Sequence, residues 1–159
     1  MKTKKFFLSI LTVFFVFIAL TVPANAVGTV CDMSLDTSIK AFHRGNKIEV
    51  TISLQNVSDS SGIAGISIDS IDYDSTMLTF ESISATSLPT GWALYGTKAP
   101  FLIADDSGSN PVKAGLCISL FFKVNENAKF QTTTISARGS ATNGLLDDVA
   151  ISFGRSEER

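Results

Sequence analysis

Three pairs of aspartates, a single histidine and two cysteines are the residues of this chain best equipped for chemistry. The pairs are Asp72 with Asp74, Asp105 with Asp106, and Asp147 with Asp148. Two carboxylates facing each other across a cleft can cleave a glycosidic bond. Aspartates one or two positions apart at strand ends more often bond nearby backbone amides and shape turns, and that is the reading the spacing favours. His43 lies in "AFHRGN", beside a turn, with no second His or Cys at ligand spacing. Neither a metal site nor a general base is expected there. No serine sits in a G-x-S-x-G elbow, and no acidic segment follows the EF-hand loop pattern. The sequence therefore predicts no catalytic residue, no resident metal and no cofactor. Cys31 and Cys117 offer two alternatives: a structural disulfide closing a long loop, or separate thiols in different strands.

The elements that must position these residues begin after a leader. Residues 1–26 carry three lysines, an apolar run from Phe6 to Val22 and the small-residue close Ala24-Asn25-Ala26. That is the layout of a secretory signal peptide. An uncleaved anchor is the competing reading, and Ser9, Thr12 and the cleavage site favour removal. Losing Lys2, Lys4 and Lys5 moves the formal charge from -2 to -5. The expected product, residues 27–159, is an exported, mildly acidic single domain, secreted or held at the cell surface, with its core over about 30–153. It has the length to bury a core unaided. Without clustered Lys and Arg, no nucleic-acid or anionic-membrane footprint is expected.

Period-2 alternation broken by turn residues every ten or so positions predicts an all-β antiparallel sandwich or barrel of about nine strands. In "KIEVTISLQNV", Ile48, Val50, Ile52 and Leu54 take one face and Lys47, Glu49, Thr51, Ser53 and Gln55 the other. In "LCISLFFKV", Leu116, Ile118, Leu120, Phe122 and Val124 are the core set, and in "DVAISFG", Val149, Ile151 and Phe153. "MLTFESI" turns Leu78 and Phe80 inward, "TTTISA" and the segment from Cys31 to Leu35 add strands, and "LPTGWALYG" reads as turn-rich. The stretch from Gly62 to Tyr73 alternates, then slips. Ile66 and Ile68 are followed by Ile71 and Tyr73, so a β-bulge with Ser70 as the extra residue keeps all four facing the core. The tail "RSEER" is expected to fray.

"PFLIADD" is apolar on both faces, with Phe101 and Ile103 on one and Leu102 and Ala104 on the other. Its outer face is either covered by a loop or is a binding patch rimmed by Tyr95 and Asp105. Aromatic stacking of a sugar would fall to Trp92 and Tyr95, because Tyr73 is assigned inward.

The order of "GIAG" at Gly62–Gly65, Tyr73-Asp74 with Leu78 and Phe80, "LPTGW", Ala104-Asp105-Asp106-Ser107-Gly108, and Gly115 leading into "LFFKV" resembles the cohesin domain of bacterial cellulosomes. The resemblance runs from about Val30 to Phe153. It implies a nine-stranded jelly-roll sandwich that is a non-catalytic, monomeric module. Such a module docks a dockerin borne by a polysaccharide-degrading enzyme, with calcium on the dockerin rather than on this chain. The positions it marks for partner contact are Gly65, Ser67, Tyr95, Leu102, Ala104, Asp105, Gly108 and Leu145. Relatives often carry Asn and Asp where this chain has Gly65 and Ser67, and the bulge is an insertion against their usual pattern. Direct carbohydrate binding through Trp92 and Tyr95, or a structural or adhesive role through a sheet edge, are the alternatives from other classes.

Overall fold

The computed structural model describes residues 31–36, 42–129, 131–153 and 156–158, and the leader expected over residues 1–26 lies outside them. The chain order is β1 (Cys31–Asp36), β2 (Lys47–Gln55), β3 (Ile63–Tyr73), β4 (Leu78–Ser87), β5 (Trp92–Tyr95), β6 (Phe101–Asp105), β7 (Cys117–Val124), β8 (Thr133–Asn143), β9 (Asp148–Val149), β10 (Ile151–Phe153) and β11 (Ser156–Glu158). One sheet runs β10-β1-β2-β7-β4 and the other β11-β8-β3-β6-β5, with β9 also on β8. The expected all-β two-sheet sandwich is thus what forms, antiparallel apart from the parallel pair of β1 and β10.

The alternating residues of β2 and β7 make the centre of the first sheet. Ile48, Val50, Ile52 and Leu54 are all buried, as are Leu116, Ile118, Leu120, Phe122 and Val124. Phe122 takes the edges of Tyr73 and Phe80, with ring centroids 5.1 and 5.5 Å away. From the facing sheet, Ile63, Ile66, Ile68, Phe101, Ile103, Ile135, Ala137 and Ala141 close the core. Each large side chain withdrawn from water in this way contributes on the order of 1.5–3 kcal/mol.

Five expectations are corrected. The bulge is present, but its extra residue is Asp69. Ile68 pairs with Gly139 and Ser70 with Arg138, so Ser70 keeps its place in the ladder. Ile71 and Tyr73 still pack against the core. The strand expected as "TTTISA" runs on to Asn143, and "LPTGWALYG" contains β5. The final expected strand divides at Ala150, with Val149 beside β8 and Ile151 beside β1, so the chain changes sheets within two residues. Of the charged tail, Ser156–Glu158 pairs with Thr133–Ile135 rather than fraying.

The cysteine alternatives also resolve, because Cys117 is a free thiol that accepts a hydrogen bond from Ser53 Oγ at 3.6 Å. β2 lies between β1 and β7. Two strand spacings of about 4.8 Å each exceed the usual Cα reach of a disulfide. The register adds to the gap, since Cys117 faces Ser53 while Cys31 lies beyond the Asp32–Gln55 pair.

Candidate partner-binding face

Strand register assembles the outer face of the second sheet from residues far apart in sequence. Ser67 pairs with Leu102 and Ser140, and Leu102 with Tyr95. One step along, Gly65 pairs with Ala104 and Thr142, and Ala104 with Ala93. A sheet side chain shares a face with its cross-strand partner. Two rows therefore lie across β8, β3, β6 and β5. One reads Ser140–Ser67–Leu102–Tyr95 and carries an apolar ridge. The other reads Thr142–Gly65–Ala104–Ala93 and carries nothing larger than a threonine. Leu102 is 41% and Tyr95 47% exposed, so no loop covers the ridge. The phenol of Tyr95 donates to Asp106, and that bond, with partial burial, holds its pKa above the usual tyrosine value.

The bulge places a carboxylate beside this face. Ser67 Oγ donates to Asp69 Oδ1 at 2.8 Å, and Asp69 is exposed. Further along β3, Arg138 binds Asp72 Oδ2 through Nε at 2.9 Å and Nη2 at 2.6 Å.

Asp105 is placed differently from its neighbours on β6. It is 9% exposed, and its carboxylate accepts from Ser107 Oγ (2.6 Å), Ser107 N (3.0 Å) and Asn110 N (2.5 Å). These bonds, that from the Ser107 hydroxyl foremost, hold its pKa below the usual aspartate range. Its work is to fold the loop after β6. Gly108 sits on that loop with φ +63, a left-handed conformation suited to glycine, with open space where a Cβ would stand. Trp92 is also turned in. It is 7% exposed and its Nε1 donates to Asn110 O at 2.9 Å, so its ring lies in the core. Leu145 lies at the corner after β8, two residues past the Asn143 that ends that strand, and is exposed.

The register thus unites Gly65, Ser67, Tyr95, Leu102 and Ala104 on one face. Asp105, Gly108 and Leu145 lie at its Gly65 end. Sequence reasoning missed Ala93, Ser140, Thr142, Asp69, Asp106 and Leu146. Continuing the alternation of "TTTISA" through Gly139 would have found Ser140 and Thr142.

At the far end of β8 a concavity of about 300 Å³ is lined by Phe42, Met77, Leu78, Val124, Ala128 and Thr133, together with Arg44 and Lys129. Among the described residues its lining holds no carboxylate and no histidine. Among the described residues no group of three or more His, Cys, Asp or Glu is arranged to hold a metal ion.

The sandwich has close structural relatives. The sixth cohesin of scaffoldin B from Acetivibrio cellulolyticus, solved with a Cel5 dockerin double mutant, superposes with TM-score 0.64 at 17% identity, over 82% of this chain and 99% of that one. The OlpC cohesin of Clostridium thermocellum, solved with the dockerin Doc435, gives 0.64 at 16%, over 86% and 97%. A cohesin module from a Clostridium perfringens family 33 glycoside hydrolase gives 0.63 at 9%, over 82% and 96%. Comparison with curated proteins returns no match. These structures share the fold, and the sequence itself carries the family: residues 33–153 match the cohesin domain model. With most of its length so matched, and the sandwich that family builds, the chain belongs to the cohesin domain family.

Proposed function

We propose that this protein is a secreted, non-catalytic docking module whose outer β8-β3-β6-β5 face receives a dockerin-bearing partner engaged in extracellular polysaccharide degradation. The observation that carries this reading is the bare apolar ridge of Leu102 and Tyr95 beside a row of Gly65, Ala104 and Ala93. An antiparallel sheet with one wet face has no structural use for such a ridge, whereas a packed partner surface does. Cohesins of the same fold were solved bound to dockerins, which supports the choice of partner. Gly65 and Ala104 let a helix backbone approach closely. Asp69 and Asp106 supply acceptors at the edges. The module acts as a monomer, and any calcium dependence belongs to the partner.

The test is calorimetric titration of residues 27–159 with a dockerin panel, in calcium and in chelator. Leu102→Asp puts a charge at the centre of the buried patch and should weaken binding more than about 100-fold. Wild-type affinity retained by that variant would remove the face from the reading. Direct sugar stacking is left with Tyr95 alone, since the Trp92 ring is buried.

A further inference from the structure

The concavity of about 300 Å³ lies between the two sheets, at the end of β8 away from Gly65. Leu78 and Val124 reach it from the first sheet and Thr133 from the second. Phe42, Met77 and Ala128 reach it from the connections before β2, before β4 and after β7. Hydrogen bonds lace those connections together. Met77 N and Leu78 N both donate to Asp74 O (3.0 and 2.9 Å), and Asn125 N donates to Met77 O at 2.9 Å. Ala128 N donates to Asn125 O at 3.1 Å, Gly45 N to Val124 O at 2.9 Å, and Arg44 Nε to Ala128 O at 2.8 Å. Each wall is anchored to its neighbour, so the hollow is preformed, as small-molecule sites usually are.

Two features bear on what it holds. Thr133 stands on the inward face of β8 and is 8% exposed. Among the described residues its hydroxyl is the one buried side-chain polar atom without a hydrogen-bond partner. Buried hydroxyls are almost always paired, and an unpaired one asks for a partner from outside the chain. The second feature is charge. Arg44 and Lys129, both exposed, belong to the same lining, and Lys129 is in no ion pair among the described residues. Its charge acts on Asp74, but that carboxylate already accepts from Thr76 N (2.8 Å) and Oγ1 (2.6 Å). The hollow thus combines apolar walls, a cation at its mouth and a buried hydroxyl. Phe42 and the Met77 thioether suit an aromatic body. An apolar cavity of about 150 Å³ takes one benzene, so this volume suits about twelve non-hydrogen atoms.

We propose that this end of the sandwich binds a small hydroxyaryl carboxylic acid, with its ring against Phe42 and Met77, its carboxylate on Lys129 and its hydroxyl on Thr133 Oγ1. The site is separate from the docking face and does not depend on the dockerin reading. The probes are para-hydroxyphenylpropanoate, phenylpropanoate and the neutral phenylpropanamide, titrated into residues 27–159 and followed by amide shifts in nuclear magnetic resonance. Saturable shifts are expected at Met77, Leu78, Val124, Ala128 and Thr133, with a dissociation constant of about 1 mM or tighter for the hydroxy acid. Without the hydroxyl, binding should weaken about 3- to 10-fold. The amide should bind about 2- to 5-fold more weakly than phenylpropanoate. Thr133→Val should erase the preference for the hydroxy acid and leave the melting temperature unchanged or raised, because the hydroxyl it removes is unpaired. Lys129→Gln should erase the preference for acid over amide, and added salt should do the same to wild type. A hydroxy-acid preference that survives Thr133→Val overturns the role given to Thr133. Equal binding of acid and amide by wild type overturns the role given to Lys129. No saturable shift by about 10 mM, or shifts confined to the β8-β3-β6-β5 face, overturns the site itself.

Discussion

Gly139→Ala would place a methyl carbon 1.9 Å from the Ser67 carbonyl oxygen, 2.9 Å from its carbon and 3.1 Å from Ile68 Cα. All three neighbours are backbone, so no side chain can swing aside. Contacts under 3.0 Å are essentially never seen for a real Cβ, and β3 and β8 must separate by at least about 1.1 Å at this point. Overpacking of this kind costs about 1–3 kcal/mol, and loosening the ladder bonds beside the bulge adds about 1 kcal/mol for each one lost. Against this stands a gain of about 0.4–1 kcal/mol from stiffening the unfolded chain. The net is a loss of about 2–4 kcal/mol, which for a domain of this size lowers the melting temperature by roughly 7–14 °C. Calorimetry or denaturant unfolding of the variant reads it directly. Alanine itself suits the strand, since Ala137 and Ala141 face inward on either side. Ser140→Ala, pointing outward, should move stability by less than about 0.5 kcal/mol and is the control. A Gly139→Ala protein melting within 2 °C of wild type would refute the close approach as the reason for the glycine. Because the bulge sets Asp69 against Ser67, the same variant should also weaken partner binding in whatever fraction remains folded.

Acid should destabilise the domain in a defined window. The carboxyls of Asp59, Asp74 and Asp105 are held below the ordinary aspartate value near 3.8, first by the hydroxyls of Ser61, Thr76 and Ser107. Depressed folded values mean that the unfolded chain takes up protons first as pH falls. The stabilisation is thus complete above the unfolded value and is lost as pH drops through the folded ones. Denaturant midpoints should hold steady from pH 7 to about 5 and decline below about 4, and a midpoint that rises on acidification would contradict this. Cys117 should alkylate in the unreduced protein, with a mass shift locating the label on its peptide, whereas recovery of that peptide cross-linked to the one bearing Cys31 would overturn the register given for β1, β2 and β7.

What the residues disclosed in advance is what period-2 burial dictates. Ile48, Val50, Ile52 and Leu54 alternate cleanly because β2 is paired on both sides and wet on one face. Leu102 stood out for the converse reason, an apolar side chain where alternation calls for a polar one. The bulge was legible as a slip, but its extra residue was not. Position 69 or 70 satisfies the same apolar phase, and only the pairing of Ser70 with Arg138 decides. Asp105 and Trp92 were misleading as surface candidates because residue type does not say which way a side chain turns. Asp105 is needed by its loop amides and Trp92 by the core. The expected strand "TTTISA" stopped at Ala137, short of Gly139, and so left out the second half of β8 and with it one side of the docking face. The corner after β8 depends on Asn143 reaching Asp59, a contact across 84 positions of sequence.

The parallel pair of β1 and β10 joins Cys31 to Ile151 and Met33 to Phe153, residues about 120 positions apart. A chain made from its amino terminus must carry β1 with one side unpaired until β10 arrives about 120 residues later. β8 likewise waits for β9 and β11 on its outer side. Closure of both sheets therefore waits for the segment from β9 to β11, and a high contact order slows it further. A chain ending near Asp147 would keep most of its core yet expose two long strand edges, each a template for pairing with another copy. The short strands β9 to β11 thus act as edge guards: they occupy the flanks of β1 and β8 that a chain stopped before them would offer to another copy.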